Sequence, residues 1–161
     1  DMTDTIRLSV SPHSVAIWRL EAEKRLEPTF YEAEWAYLPC YDDLGKNPKQ
    51  IFYAASPACS GKMKVSNIGG SEENIAEWKE VYSEKGGEYD MTIYYSCGKN
   101  RKLEVSVNET KTEIKDLNSG NKEKVTSVTI PVTLVAGNNV IRMGNNFGWA
   151  PDIDRFTVSR Q

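Results

Sequence analysis

The sequence predicts an all-β protein, an antiparallel β-sandwich preceded by a short N-terminal β appendage, and three observations carry that expectation. Period-two alternation of apolar and polar residues recurs along the chain, helical periodicity is scarce, and glycine- and asparagine-rich turns separate the alternating stretches. Short strands at spacings of roughly 8–12 residues with such turns are the mark of a sandwich.

The elements follow in order. "TIRLSV" and "SVAIWRL" read as two short strands separated by Ser11, Pro12 and His13, and the charged, proline-terminated "EAEKRLEP" reads as a linker. The expected organisation is therefore closing strands of a preceding domain over 1–20, a linker over 21–28 and the sandwich over 29–161. Alternation resumes in "TFYEAEW" and "KMKVSN". In "EYDMTIYYS", Tyr89, Met91, Ile93 and Tyr95 share one face. Leu103, Val105 and Val107 do so in "RKLEVSVN", and Val128, Ile130, Val132 and Leu134 in "TSVTIPVTL". Pro131 lies on the opposite face of the latter and donates no ladder hydrogen bond, which puts that strand at an edge or a bulge. "NVIRM" and "DRFTV" complete the set. "GSEENIAEWKEVY" fits a helical face through Ile75, Trp78, Val81 and Tyr82, but a strand beginning near Ala76 is the reading adopted. Trp35 and Trp78 lie in strand patterns and are expected in the core.

Composition narrows the function classes. A chain of 161 residues suits one domain with an appendage. The net charge is -3, with Lys and Arg interspersed among Asp and Glu, so nucleic acid is not an expected partner. No apolar run nears the roughly 20 residues of a membrane-spanning helix, so membrane insertion is not expected. The sequence begins at Asp1 without a signal-peptide pattern and reads as a piece of a longer protein.

Catalytic motifs are absent: there is no GxxxxGK[ST], GxSxG, HExxH or strand-borne GxGxxG. The single imidazole, His13, lies in the appendage, which excludes a histidine-based triad from the sandwich. Among 23 acidic residues some pair always has glycosidase spacing, so that pattern carries no weight. The three cysteines, Cys40, Cys59 and Cys97, include no CxxC pair. Cys40 and Cys59 flank a polar excursion, and either a disulfide closing it or three free thiols fits the sequence.

Two constellations remain. Glu32 and Glu34 stand at i and i+2, and Asp152 and Asp154 repeat the spacing near the C-terminus. If the first and last strands pair, these carboxylates converge and need a hard cation such as calcium, which takes about 6–8 oxygen ligands. The alternative is two solvated acidic strand ends. In "GNNFGWAP", Trp149 lies on a loop beside Asn145 and Asn146. Aromatic faces stack on the CH faces of sugars and amides bond hydroxyls. Equally, Trp149 could plug the sandwich end while the asparagines hold left-handed turns.

Several blocks in order, "FYEAEWA", "CSGKMKVSNIGG", "GEYDMTIYYSCGKNRKLEVSVNE", "VTLVAGNNVIRMGNN" and "PDIDRFTV", resemble carbohydrate-binding modules of families 35 and 6 over residues 29–161. The resemblance implies a β-sandwich jelly roll, a sugar site in loops at one end, and a structural calcium. It assigns Glu32, Glu34 and Asp154 as side-chain calcium ligands, with Asp152 close by and backbone carbonyls near Gly61 contributing. It assigns sugar binding to Asn145 and Asn146, with Trp149 adjacent. A tryptophan common in the family is missing from "DLNSGNKEKV", where Lys122 stands, so the second ring is either lost or replaced by Tyr41 or Tyr53.

"TIRLSVSPHSVAIWRLE" resembles the closing strands of the C-terminal β-domain of family 27 glycoside hydrolases, the α-galactosidases. Together the resemblances imply a non-catalytic module of an exported enzyme, extracellular or periplasmic. It would carry the catalytic domain of its parent chain to galactose-containing glycans. The alternative is a structural accessory β-sandwich of that enzyme with a vestigial sugar site.

Overall fold

The computed structural model describes residues 9–18, 23–41, 47 and 49–161. Its strands are β1 (Phe30–Glu32), β2 (Phe52–Ala55), β3 (Met63–Ser66), β4 (Ala76–Ser83), β5 (Gly87–Ser96), β6 (Arg101–Val107), β7 (Thr110–Leu117), β8 (Thr126–Leu134), β9 (Gly137–Gly144) and β10 (Asp152–Arg160). One sheet runs β2-β3-β10-β5-β8 with β1 also paired to β10, and the other runs β4-β9-β6-β7. All pairings are antiparallel. The all-β sandwich read from the alternation is the fold, and first and last strands pair as expected.

The inward face of each strand supplies the core. Tyr89, Met91, Ile93 and Tyr95 are buried, as are Leu103, Val105 and Val107. Phe156 of β10 has no exposed surface, stacks on Tyr31 at 4.9 Å and meets Trp78 edge-on at 5.1 Å. The Trp78 Nε1–H donates to the Glu32 carbonyl at 3.0 Å, so burying this indole cost no unpaired donor. Pro131 sits in β8, the edge strand expected for it. β4 begins at Ala76, which settles the ambiguous segment as strand.

The structure departs from these expectations along several segments. "TFYEAEW" is not one strand: β1 ends at Glu32 and a 3-10 turn, Ala33–Trp35, follows. Trp35 therefore faces outward instead of joining the core. β2 lies within the Cys40–Cys59 excursion, and β7 within the polar stretch after β6, and neither was foreseen. β7 is an edge strand that is mostly exposed and charged, so it has almost no apolar alternation to reveal it. In the appendage, "TIRLSV" lies almost wholly outside the described residues. Residues 14–18 form no strand and expose Val15 and Ile17, since no sheet edge receives them.

The described part of the expected linker is docked on the sandwich. Glu27 accepts from Ser83 Oγ at 3.0 Å, Tyr89 Oη at 3.2 Å and the Glu84 amide. Arg25 donates to Asn138 Oδ1 at 2.7 Å and lies 4.4 Å from the Tyr82 ring centroid. All three cysteines are free. Among the described residues no helix is long and apolar enough to cross a membrane.

Candidate functional site

The acidic cluster forms where β1 meets β10. The 3-10 turn, not strand alternation, brings Glu34 round beside Glu32. On β10 the register shifts between Ile153 and Arg155. That bulge leaves Asp154 out of the ladder and re-aims its side chain, as bulges do. Asp154 Oδ1 accepts the Ser60 amide at 2.8 Å, and Glu32 Oε1 accepts Ser60 Oγ at 2.6 Å. The loop at Ser60–Gly61 therefore ties the two ends together. Gly61 has φ +58°, a left-handed conformation that favours glycine, and a Cβ there would stand 2.2 Å from Glu34 Oε1, so a larger residue would have to displace that carboxylate.

Electrostatically the cluster is unbalanced. Glu32 Oε2 and Glu34 Oε2 are buried with no hydrogen-bond partner. Burial pushes the Asp154 carboxyl above its ordinary range, and the neighbouring Glu32 and Glu34 charges add to the rise against the Ser60 amide and Arg155. Arg155 Nη1, at 3.3 Å, is the cation nearest to Asp154. Among the described residues no three His, Cys, Asp or Glu side chains are gathered as a ready-made metal cage. The three carboxylates are instead strung around the Ser60–Gly61 turn, with two oxygens spare. Such oxygens suit a hard cation. Asp152 is not among them. Its carboxylate pairs with Lys64 Nζ at 3.0 Å, and Lys64 also donates to the Lys122 carbonyl at 3.0 Å.

The loop between β9 and β10 forms the second constellation. Asn145 is 5% exposed and spends its side chain inside the loop. Its Nδ2 donates to the Lys102 and Trp149 carbonyls at 3.2 and 3.4 Å, and its Oδ1 accepts the Phe147 amide at 3.3 Å. Trp149 is 39% exposed and lies against Gly70, while its backbone bridges Gly69. A Cβ at Gly69 would meet the Gly148 carbonyl at 2.3 Å, so only glycine permits this approach. Asn146 reaches outward and donates to Glu72 Oε1 at 3.2 Å. Beside it lies a groove of about 310 Å³ lined by Glu72, Ile75, Glu104, Lys111, Arg142 and Asn146. Phe147 stands at the loop tip, 93% exposed, with Lys102 Nζ 5.8 Å from its ring centroid.

Tyr41 and Tyr53 pack on each other, with ring centroids 5.4 Å apart. Tyr53 Oη donates to the Ala36 carbonyl at 2.7 Å. Tyr53 lies in β2. The structure thus brings together Asn145, Asn146 and Trp149, and separately Glu32, Glu34 and Asp154. Asp152 is held instead by Lys64, and Tyr41 and Tyr53 pair with each other.

Its structural neighbours are family 35 carbohydrate-binding modules. A family 35 module from Clostridium thermocellum superposes with a TM-score of 0.72 at 26% identity, covering 81% of this chain and 98% of that one. One from Paenibacillus barcinonensis gives 0.70 at 22% identity over 83% of this chain and 100% of that one. An exo-β-1,3-galactanase from Phanerochaete chrysosporium, solved with galactose, gives 0.70 at 25% identity over 81% of this chain and 29% of that one. No family model matches the sequence, and no curated protein matches it. The sandwich is therefore of the jelly-roll type expected.

Phe147 was missed because the reading stopped at the tryptophan. The signal was present: a phenylalanine flanked by Asn146 and Gly148 has no strand to bury it. Asn145 carried no mark distinguishing it from Asn146; only the folded loop shows which amide is consumed internally.

Proposed function

We propose that this chain is a non-catalytic carbohydrate-binding module, stabilised by calcium. It would hold an α-galactosidase-like parent glycoside hydrolase on galactose-containing polysaccharide outside the cell. The observation that carries the reading is the Phe147 ring, almost wholly exposed and next in sequence to Asn146, which lines a groove carrying both apolar and charged side chains. A phenyl ring left in water at a loop tip adds no burial to the fold and is free to stack on a sugar face. Asn146, Glu72, Glu104 and Arg142 offer donors and acceptors to the hydroxyls. The likeness to family 35 modules and to a galactanase solved with galactose supports the ligand class.

One shallow groove should bind weakly, at about -4 to -8 kcal/mol, or millimolar to micromolar. The module then acts by raising the effective concentration of the parent enzyme on its polymer. Glu32, Glu34 and Asp154 would hold the calcium, whose charge would offset their mutual repulsion.

A second reading is a structural accessory sandwich with a vestigial sugar site. It draws on Asn145, whose amide nitrogen and oxygen are both engaged within the protein. A glycan array of the chain, in calcium and in chelator, with Phe147→Ala beside it, separates the two. Retention on galactose-terminated glycans that the variant loses at unchanged melting temperature supports the module. A blank array with folded protein supports the accessory reading.

A further inference from the structure

The charged stretch "EAEKRLEP" has the composition of an extended, solvated linker, yet its last residues pack on the sandwich. Glu27 is the centre of the contact. Its carboxylate accepts from the hydroxyls of Ser83 and Tyr89, which are 0 and 3% exposed and bond each other at 2.7 Å, and from the Glu84 amide. Arg160 of β10 closes the network: its Nη2 donates to Tyr89 Oη at 2.9 Å and lies 3.9 Å from Glu27 Oε1. Arg25 holds the segment on the other sheet, through Asn138 of β9 and the ring of Tyr82 in β4. The Thr29 carbonyl accepts the Val158 amide at 2.9 Å, so the segment runs into β1 without a gap in its pairing to β10. Pro28 adds stiffness from within, since its ring fixes its own φ and biases Glu27 towards extended backbone.

These partners gather at one end of the sandwich. Ser83 ends β4 and pairs with Gly137, which begins β9. Ala76 and Met143 pair at the other end, where β9 runs into the 145–149 loop. β10 likewise starts beside that loop at Asp152 and finishes at Arg160. A strand of eight residues, the length of β4, spans roughly 22–24 Å.

We propose that residues 25–29 are a rigid stem, which fixes the direction of the chain ahead of residue 25 and sets it at the end of the sandwich opposite the 145–149 loop. A flexible tether raises the local concentration of a module and leaves it free to turn. A stem clamped on both sheets removes that freedom, so the loop points away from where the chain enters. For targeting, the inference rests on the sugar-binding reading and deepens it: the parent enzyme would be held at a set orientation to the glycan, not only near it. The stem itself rests on the contacts of Arg25, Glu27 and Thr29 alone.

The test is nuclear magnetic relaxation of the whole isotope-labelled chain, with no sugar present. Backbone order parameters at Arg25, Leu26, Glu27 and Thr29 should match those of β5 and β10, at about 0.85. Residual dipolar couplings of the same amides should fit the alignment tensor of the sandwich. In the double variant R25A/E27A those order parameters should fall below about 0.6, while the β5 and β10 amides keep theirs and show that the variant is folded. Wild-type values below about 0.6, or couplings that need a second tensor, overturn the proposal. A folded double variant whose segment stays as ordered as wild type also overturns it, since Arg25 and Glu27 then do not hold the stem. If the variant does not fold, the wild-type measurements decide alone. No glycan enters the experiment, so a loose stem and a blank glycan array are separate results: the first refutes the stem, the second the sugar-binding reading.

Discussion

Replacing Glu34 by glutamine keeps the volume of the side chain and removes one of the three clustered charges. In the structure, Glu34 Oε2 and Glu32 Oε2 are buried and unpartnered. An unsatisfied buried acceptor costs about 1–3 kcal/mol, more when charged. Without metal, E34Q should therefore stabilise the fold, because an unpaired buried amide costs less than an unpaired buried carboxylate. With calcium the sign reverses. Wild type gains about 2.7 kcal/mol when the ion is present at a hundred times its dissociation constant. The variant should forgo most of that gain, since the amide brings no charge to the cation. For a domain of this size, 1 kcal/mol corresponds to about 2–4 °C in Tm. Wild type should thus melt about 5–11 °C higher in calcium than in chelator, by the same conversion. Urea unfolding of both proteins in millimolar calcium and in chelator gives the four free energies. The reasoning fails if calcium leaves wild type unmoved, or if E34Q loses the same stability in both media.

Other consequences follow from neighbouring contacts. In chelator, the raised Asp154 carboxyl takes its proton at higher pH in the folded than in the unfolded chain, so stability should rise as pH falls through the raised value towards 3.8. Glu27 and Glu77 act oppositely. The Glu84 amide lowers Glu27 despite burial, and Arg142 and Lys79 outweigh burial at Glu77, so their contribution is lost as pH falls below 4.5. Calcium should abolish the first effect and leave the second, which thermal melts across pH will read. Asp152→Asn should leave the calcium response intact yet cost about 3 kcal/mol, because it strands the nearly buried Lys64 ammonium; denaturant titration checks both. Glu27→Ala should free the 23–29 segment and cost about 1–2 kcal/mol, read as faster proteolysis there and a lower Tm.

The sequence by itself determined the sandwich. Alternation in β5, β6 and β8 assigns an inward face to each strand, and those faces are the core. It also set Glu32, Glu34, Asp152 and Asp154 at chain positions that converge if the first and last strands pair, and β1 and β10 do pair. Tertiary structure decided how they meet. A 3-10 turn presents Glu34, a bulge turns Asp154, and Lys64 takes Asp152, none of which is written in a spacing of two residues. It decided too which side chains of the 145–149 loop are spent within the protein and which face water. Trp35 makes the same point: its pattern is that of a core residue, and one turn of 3-10 helix puts it outside. Strand faces follow from local periodicity, whereas a turn, a bulge or a partner for a charge depends on residues far away in sequence.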